Sequence, residues 1–579
     1  MTLRLYSILI SILLIPSWLF GATLIVDNTL GASITNGTYS ISGRSGGGSD
    51  GNAYKTLQEV IWGTDGTNGA ASVGDTIYLR GGTYSEDWSS ATSSGAAMQI
   101  PTRLNGTAWT AGNYTTISSY PGEWAVINGD NVTGNYFLFG YGDASQSIDV
   151  GGYSYWKIER LEITGGMSSG LAIKYGPVWV RYCYIHTNGR GGGDSNRSGI
   201  HMRNGMGNII EYNLLHDNGN GTTSGNSYQI ENYGDYLSEI NPSANYNWTH
   251  CNRDNIVRYN YFTGTYGMAW RDKAAQWLGD HDSDTVNTPN GFFSDMTHQD
   301  AGNEIHHNII AGTFSYGVAG SQDFEQIHHN IVDGGHIAGY AGGGEQTYFK
   351  QCIYNNTVLG GYIAMSSGYD LLHTGLDASW YCVNNIVQGW GMSSGGYNPS
   401  IGIVTTWGAR AAATTCMQYT YTWTDTTVNR NFIYEPTDAH HFGLPNTYAP
   451  WASPNACAES NWVSQSTFDT ARSTTNYTNS TAGLFAADGY TASGSFVIGS
   501  TTIAEGGIGG AHPYLSGVTI PSYVGAVNPS DSDWVAGVLA LDASYFTSAT
   551  NGSDPSWIEG SGSTPTIRNG SIVNGGVRP

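Results

Sequence analysis

The chain has 579 residues, of which 81 are glycine and only 12% are charged, about twice and about half the usual shares. Hydrophobic residues make up 39% and aromatic residues 12%, which supplies a large core and excludes global disorder. The net charge of −23 repels phosphate backbones and anionic lipid surfaces, so we expect neither a nucleic-acid partner nor integral membrane contact.

Residues 1–22 have the pattern of a secretory signal peptide. Arg4 precedes an apolar run over residues 5–14, and small residues end the segment at Ala22. This order is typical of signal sequences. Because Phe20 stands where cleavage prefers a small residue, a retained N-terminal anchor is the alternative. After cleavage the protein is predicted to be secreted, extracellular or periplasmic.

Residues 23–116 are predicted to form an N-terminal cap followed by the first strands. The stretch VGDTIYLRGGTYSE, residues 73–86, has strand-like alternation, and YKTLQEVIWG, residues 54–63, has the apolar spacing of a helix. A helix at this place would cover the open end of the β structure that follows, whose exposed edge would otherwise template aggregation.

The central part of the chain repeats one short pattern, which reads Val or Ile, two residues, Asn, one residue, then an aliphatic residue or Phe. Seven copies centre on asparagines at 213, 260, 308, 330, 356, 385 and 431, and two earlier relatives have Cys183 and Leu161 at that place. The shortest spacing is 22 residues, and the longer gaps fit the same unit with enlarged loops. Such self-similarity is typical of a solenoid.

Within each copy the apolar positions predict two short strands joined by a bend. One apolar residue lies three before the Asn and another two after it, for example Ile210 and Leu215 around Asn213. A separation of five breaks the two-residue alternation of a strand. Because Asn tolerates left-handed backbone geometry, we expect the bend at the Asn itself. Stacked coils also allow the Asn side chains to form a hydrogen-bonded ladder at about 4.8 Å per coil.

These repeats resemble the right-handed parallel β-helix, the fold of the pectin-lyase-like superfamily of secreted bacterial proteins. The resemblance begins at TTISSYPGEWAVING, residues 115–129, which looks like an early coil. It implies an all-β fold, a single-stranded right-handed parallel β-helix (solenoid) over residues 117–440. Residues 441–546 are then predicted to be a C-terminal closing region, in which PSYVGAVNPSDSDWVAG resembles a closing segment, and residues 547–579 a flexible tail.

One strand of each coil is predicted to present a flat outward face. Its copies are SGIHMRNG, SYQIENYG, YGMAWRDKA, YGVAGSQD and GYIAMSSG. We expect four apolar residues of these copies to point inward, namely Ile200, Met202, Met268 and Trp270. The alternation of a strand then directs the intervening residues outward. These residues are His201, Arg203, Ala269, Arg271 and Lys273, and we expect Glu231 and Asp323 on the same face. Aligning the copies gives Arg203 and Arg271 equivalent positions. Lys and Arg on so acidic a chain form a local cationic surface that suits an anionic sugar.

The superfamily resemblance implies a chemistry for this face. Many members cleave acidic polysaccharides by β-elimination, in which a Lys or Arg removes the proton beside the uronate carboxylate while a cation or Arg neutralises that carboxylate. Lys273 beside Arg271 meets this need, because a neighbouring positive charge lowers the pKa of an amine. The alternative is that both side chains are solvated in a polar loop. The candidate catalytic residues are therefore Lys273, Arg271, Arg203, His201 and Glu231.

A calcium site is predicted in the long loop that follows. The stretch GDHDSDT places Asp280, Asp282 and Asp284 at alternate positions, and carboxylate oxygens are the ligands that Ca²⁺ prefers. It is not an EF-hand, because Thr285 occupies the position that requires Gly. The alternative is a solvated acidic loop.

Histidine pairs and cysteines are two further groups of interest. The pair His306 and His307 lies 22 residues before His328 and His329, so we expect the pairs to stack one coil apart, where they either share a metal or simply pack. The six cysteines lack CxxC spacing and are not a zinc site; disulfide pairing among them stays open.

Three functions remain open at this stage. The preferred one is an exported polysaccharide lyase. The signature residues of polygalacturonases, pectate lyases, and alginate and chondroitin lyases are absent, which favours a non-catalytic carbohydrate-binding or adhesive protein as the main alternative. A glycoside hydrolase that uses carboxylates such as Glu231, Asp295 and Asp300 is the third possibility.

Overall fold

The fold is seen in a computed structural model. It describes residues 21–63, 69–86, 100–130, 154–233, 254–273, 302–341 and 348–388, with short gaps inside several of these ranges. Beyond them it describes short strands at 403–404, 427–434, 442–443, 462–463, 475–479, 495–498 and 501–504, and most of residues 509–547. The predicted signal peptide, apart from residues 21 and 22, and the predicted tail beyond residue 547 lie outside the described residues.

Among the described residues, three long sheets are built from strands that recur once per coil. Sheet A has 13 strands, in spatial order Ala53–Tyr54, Thr23–Val26, Thr76–Leu79, Thr115–Ser119, Trp156–Glu159, Val178–Arg181, Ile209–Glu211, Ile256–Arg258, Glu304–His306, Glu325–His328, Tyr348–Tyr354, Asp377–Val383 and Thr427–Asn429. Sheet B has 12, in the order Gly82–Tyr84, Ala125–Asn128, Leu161–Thr164, Tyr184–His186, Leu214–His216, Tyr261–Gly264, Ile309–Gly312, Ile331–Asp333, Thr357–Leu359, Ile386–Gln388, Phe432–Tyr434 and Tyr477–Asn479. Sheet C has 10, in the order Ser169–Lys174, Arg197–Arg203, Ser227–Tyr233, Met268–Lys273, Tyr316–Gly320, Ile337–Ala341, Ile363–Ser367, Ile403–Val404, Phe442–Gly443 and Trp462–Val463.

The chain passes from sheet A to sheet B to sheet C and back to sheet A one coil higher. Neighbouring strands in sheets A and B are parallel throughout, and in sheet C only the last pair is antiparallel. The molecule is therefore a right-handed parallel β-helix, as the repeats predict. Its paired strands begin at Thr23 and end at Asn479, so they extend beyond residues 117–440 on both sides.

The core lies inside the coils and follows the repeat. The apolar residues three before and two after each ladder position are fully or almost fully buried in one continuous cluster: Ile210, Val257, Ile305, Ile327, Ile353, Leu215, Phe262, Ile310, Val332 and Val358. Burying a side chain of this size stabilises a fold by about 1.5–3 kcal/mol. The five-residue separation therefore marks two inward strands with a turn between them.

Asparagine side chains form the predicted ladder at this turn. The Nδ2 of Asn213 donates to Oδ1 of Asn260 at 2.9 Å, and Asn260 donates in the same way to Asn308 at 3.0 Å. The chain of bonds continues through Asn330, Asn356, Asn385, Asn431 and Asn476. All of these side chains are buried, so each amide satisfies the next in an interior where an unpaired polar group costs about 1–3 kcal/mol.

The prediction that the ladder Asn itself adopts left-handed geometry is wrong. The positive φ belongs to the preceding residue, for example Tyr212 at 57°, Tyr259 at 54° and His307 at 54°. The reason is that the Asn must direct its amide inward to bond along the ladder. The chain therefore bends one residue earlier, at a residue whose side chain points outward. These preceding residues form a second column on the outside of the same turn.

Short elements lie at the two ends. The helix Leu57–Ile61 begins at Thr56, whose hydroxyl accepts from the backbone N–H of Glu59 at 3.1 Å, and its Leu57, Val60 and Ile61 join the core cluster. A 3₁₀ turn spans Thr102–Leu104. Three antiparallel hairpins pair Tyr39–Ser40 with Ser45–Gly46, Ser495–Ile498 with Thr501–Ala504, and Gly510–Ala511 with Thr519–Ile520. Two helices close the described chain, Asp533–Leu539 and Ala543–Thr547.

Two general features follow from the described residues. No helix among them is long and apolar enough to cross a membrane. Cys183, Cys352 and Cys382 are buried free thiols, and burial raises the pKa of Cys183 to about 12, which keeps it in the unreactive thiol form. Cys251, Cys416 and Cys457 lie outside the described residues.

Candidate functional site

The candidate face is the outer side of sheet C. Four of its strands are the predicted Arg197–Arg203, Ser227–Tyr233, Met268–Lys273 and Tyr316–Gly320. Ile200, Met202 and Trp270 are fully buried in the core, as the alternation predicts. Ala269 was expected to face outward, but it too is fully buried in the core. Each of these strands starts at a corner of its coil, where two successive residues face the interior. In the strand Ser227–Tyr233, Gln229 lies at this corner, and its Oε1 accepts from Nδ2 of the buried Asn218 at 2.7 Å.

The register of sheet C corrects the predicted alignment of the two arginines. Arg271 is paired with Glu231, which is paired with His201. Arg203 is instead paired with Tyr233, and Tyr233 with Lys273. The predicted equivalence of Arg203 and Arg271 is therefore wrong by two residues. A two-residue shift leaves every side chain on its original face, so the apolar pattern cannot detect it.

Two polar columns result on this face, with successive residues about 4.8 Å apart. The first contains Ala172, His201, Glu231 and Arg271, and then continues as Ala319, Ala338 and Ala364. The second contains Lys174, Arg203, Tyr233 and Lys273. Among the positions that the register links in the first column, the charged and titratable residue types are confined to His201, Glu231 and Arg271.

His201 and Glu231 are the titratable members of these columns whose side chains are described. Nδ1 of His201 lies 3.2 Å from Oε2 of Glu231, so the two share a face as predicted. Glu231 was expected on the exposed surface, but its side chain is 0% exposed, against 12% for His201. A buried carboxylate requires a polar partner, and His201 provides one. Glu231 therefore orients an imidazole and is shielded from solvent.

The remaining predicted residues are described only in part or lie outside the described residues. For Arg203, Arg271 and Lys273 the structure describes the strand position and not the side chain. The predicted calcium ligands Asp280, Asp282 and Asp284 lie outside the described residues, as do Asp295, Asp300 and Asp323. The sequence interpretation overlooked Lys174 and Tyr233, which only the register brings into the second column.

The histidine pairs stack as predicted. The rings of His306 and His328 are 4.9 Å apart and nearly parallel, and those of His307 and His329 are 4.7 Å apart and parallel. Within a coil, the two Nδ1 atoms of consecutive histidines are 2.7 Å apart. Potential ligand atoms of His306, His307 and His328 lie within 4.8 Å of one another. The Nδ1 atoms of each pair already contact each other, which favours packing among the two alternatives that the sequence leaves open.

Comparisons with known proteins find distant similarities to two solved structures. No family model matches the chain, and no curated protein matches it. The structure is similar to a pectate lyase, Pel9A, with 12% identity and a TM-score of 0.27 over 71% of this chain and 80% of that chain. It is also similar to a PL6 family polysaccharide lyase from Pseudopedobacter saltans, with 14% identity and a TM-score of 0.35 over 71% and 88%. The parallel β-helix assignment rests on the sheet topology itself.

Proposed function

We propose that the protein acts on an acidic extracellular polysaccharide by β-elimination. The observation that carries this proposal is the register of sheet C, which aligns Lys174, Arg203 and Lys273 in one column beside Arg271. On a chain of net charge −23, such a column attracts an anionic sugar. It also supplies an amine whose neighbours are cationic, a setting that lowers the pKa of a lysine toward neutrality.

The proposed step uses these residues in separate roles. Lys273 removes the proton on the carbon beside the uronate carboxylate. Arg271 and Arg203 stabilise the negative charge that develops on that carboxylate. The electron pair of the broken C–H bond forms a carbon–carbon double bond as the glycosidic C–O bond breaks. Tyr233, paired with Lys273 in the register, donates the proton that the leaving oxygen takes up.

His201 and Glu231 have a supporting role in this proposal. Because Glu231 is buried against the imidazole, it holds His201 in one orientation at the side of the cationic column. A shielded carboxylate is poorly placed to act as the acid or nucleophile of a glycoside hydrolase. The geometry thus favours elimination over hydrolysis.

Calcium and export are part of the same proposal. The segment that follows Lys273 contains Asp280, Asp282 and Asp284. A calcium ion held by these carboxylates would add positive charge near the substrate carboxylate. Residues 1–22 are proposed to be removed during export; N-terminal sequencing of secreted protein would detect this cleavage.

The test is the ultraviolet absorbance of unsaturated uronate when the mature protein meets a panel of acidic polysaccharides, with calcium or with a chelator. We expect Lys273→Ala to lower the rate about 10²- to 10⁴-fold, the usual contribution of a general base. Lys55→Ala is the matched control, because the ammonium of Lys55 donates to the exposed carbonyl of Gly31 at 3.3 Å, and its replacement should leave the rate unchanged.

Other outcomes would identify the alternatives. New reducing ends without unsaturation indicate a hydrolase. Retention of polysaccharide without cleavage indicates a non-catalytic binding or adhesive protein. Equal activity of Lys273→Ala and the unmodified protein would remove Lys273 from the mechanism.

A further inference from the structure

The described part of residues 519–547, here called the C-terminal strap, lies across the outside of the turn between sheets A and B. The backbone N–H of Gly525 donates to the carbonyl of Asn384 at 2.8 Å, and that of Ala526 donates to Oγ1 of Thr357 at 2.9 Å. Its buried apolar residues pack on Ile309 and Ile331 of sheet B; they are Ala526, Val527, Trp534, Val535 and Val538. The strap is thus docked by both backbone bonds and apolar contacts.

The histidine stack lies directly beneath the strap. The ring of Trp534 is 5.1 Å from that of His307, and the ring of Tyr523 is 5.7 Å from that of His329. His306 and His328 lie behind them, and only 7% and 6% of these two residues is exposed. The strap therefore covers His329 almost fully and His307 in part, with aromatic rings that provide no hydrogen-bonded counter-charge.

The charged groups around the stack do not neutralise a positive charge on its outer pair, which is His307 and His329. Oε1 of Glu304 lies 3.0 Å from Nε2 of His328 and 3.7 Å from Nε2 of His306, on the inner pair. Arg258, one coil away, adds positive charge and is bound to Glu211. The other neighbours of the stack are aromatic: Tyr259, Tyr354, Tyr523 and Trp534. Trp534 lies in the helix Asp533–Leu539, and the adjacent Asp533 is exposed to solvent. Burial, with nearby positive charge, holds the pKa of His307 and His329 well below the usual value.

We propose that the C-terminal strap is an acid-releasable cover, which stays docked while His307 and His329 are neutral and detaches when they take up protons. A histidine whose pKa is lowered by burial contributes full stability above its ordinary pKa and loses it as the pH falls below that value. Undocking returns His307 and His329 to solvent and removes the part of the pKa shift that comes from burial. Over the pH range in which an undocked histidine binds a proton and a docked one does not, each pH unit favours the undocked state by up to about ten-fold per histidine.

The experiment is hydrogen exchange of the full-length protein, read by mass spectrometry at pH 7.5 and pH 5 after correction for the intrinsic exchange rate. We expect peptides covering residues 519–547 to lose at least a hundred-fold in protection at pH 5, while peptides covering residues 305–310 stay protected. Unchanged strap protection would overturn the proposal. Simultaneous loss in both sets would overturn it too, because it indicates unfolding of the coils.

Variants separate the histidines from other titrating groups. In the double variant His307→Gln and His329→Gln, neither position can take up a proton, so the strap should show the same protection at both pH values. His216→Gln is the matched control, because His216 is 39% exposed on sheet B and pairs with Asp217; it should keep the full pH dependence. The difference between pH values remains the readout even if glutamine loosens the strap. A double variant that keeps the original pH dependence would contradict the proposal.

Discussion

The asparagine ladder and the outer face of sheet C obey the same stacking rule but use it in opposite ways. In the ladder, every coil from Asn213 to Asn476 supplies the same residue, and each side chain bonds to the next. On the sheet C face, the residue type changes over three successive coils, from His201 to Glu231 to Arg271, before three alanines follow. Uniform stacking satisfies buried polar groups, whereas varied stacking brings unlike groups together. If the proposed function is correct, stability and chemistry are placed in separate columns of one solenoid.

Changes in the two columns should therefore have opposite effects. Lys273→Ala is expected to remove activity by the 10²- to 10⁴-fold given above while leaving the free energy of unfolding almost unchanged. A ladder substitution should do the reverse. If Lys273→Ala also lowered stability by several kcal/mol, the separation between columns would be false.

Asn308→Ala is expected to destabilise the fold by about 3 kcal/mol or more. Oδ1 of Asn308 accepts from both the backbone N–H and Nδ2 of Asn260 at 3.0 Å, and its own Nδ2 donates to the carbonyl of Val257 at 2.8 Å. Alanine leaves these buried groups unpaired, at about 1–3 kcal/mol each. Denaturant unfolding measures the loss.

The matched control for the ladder is Asn113→Ala. Asn113 is exposed, and its side-chain amide donates to the hydroxyl of Thr110 within its own turn. Its replacement should therefore cost less than about 1 kcal/mol. Equal losses in the two variants would mean that the ladder contributes no more than a surface asparagine.

Glu231→Gln should lower activity about ten- to hundred-fold, the usual effect of removing a carboxylate that orients a site histidine. The amide keeps the shape of the side chain but not its charge, so the hydrogen bond to Nδ1 of His201 weakens. Stability should stay equal or rise, because a neutral group costs less to bury than a carboxylate. Steady-state rates with parallel thermal unfolding check both expectations, and an unchanged rate would exclude a positioning role.

Arg181→Gln should cost about 1–2 kcal/mol at pH 7. Burial alone would raise the pKa of Glu159, but Lys157, Arg181 and Arg160 together hold it below its usual range. A carboxyl group with a lowered pKa contributes stability above its ordinary pKa and loses that contribution as the pH falls through the lowered value. The cost should therefore shrink on acidification.

Urea unfolding over a pH series measures this dependence. In a Glu159→Gln background the same arginine substitution should cost little at any pH, because Arg181 Nε then lacks the carboxylate that it contacts at 2.8 Å. A cost that stays constant between pH 7 and strong acid would show that Arg181 acts by packing and not by charge.

The repeats predicted the class of fold because one inward pair of apolar residues and one asparagine recur in each coil. They missed Asn476, whose coil has Ser473 where the other copies have an aliphatic residue or, in one copy, Cys382. They also missed the C-terminal strap. The residue after several ladder asparagines is apolar yet packs outside the main core, and the strap covers it; examples are Leu214, Ile309 and Ile331. An outward apolar column indicates a cover but does not identify it.

The sequence by itself determined which residues face inward, because the two-residue period of a strand and the fixed place of each asparagine admit one solution per coil. Only the tertiary structure decided which residues share a column. The register between coils depends on loops of unequal length, and a shift of two residues preserves every inward contact. For this reason Arg203 stands beside Tyr233, Glu231 is buried against His201, and the left-handed residue is the one before the asparagine.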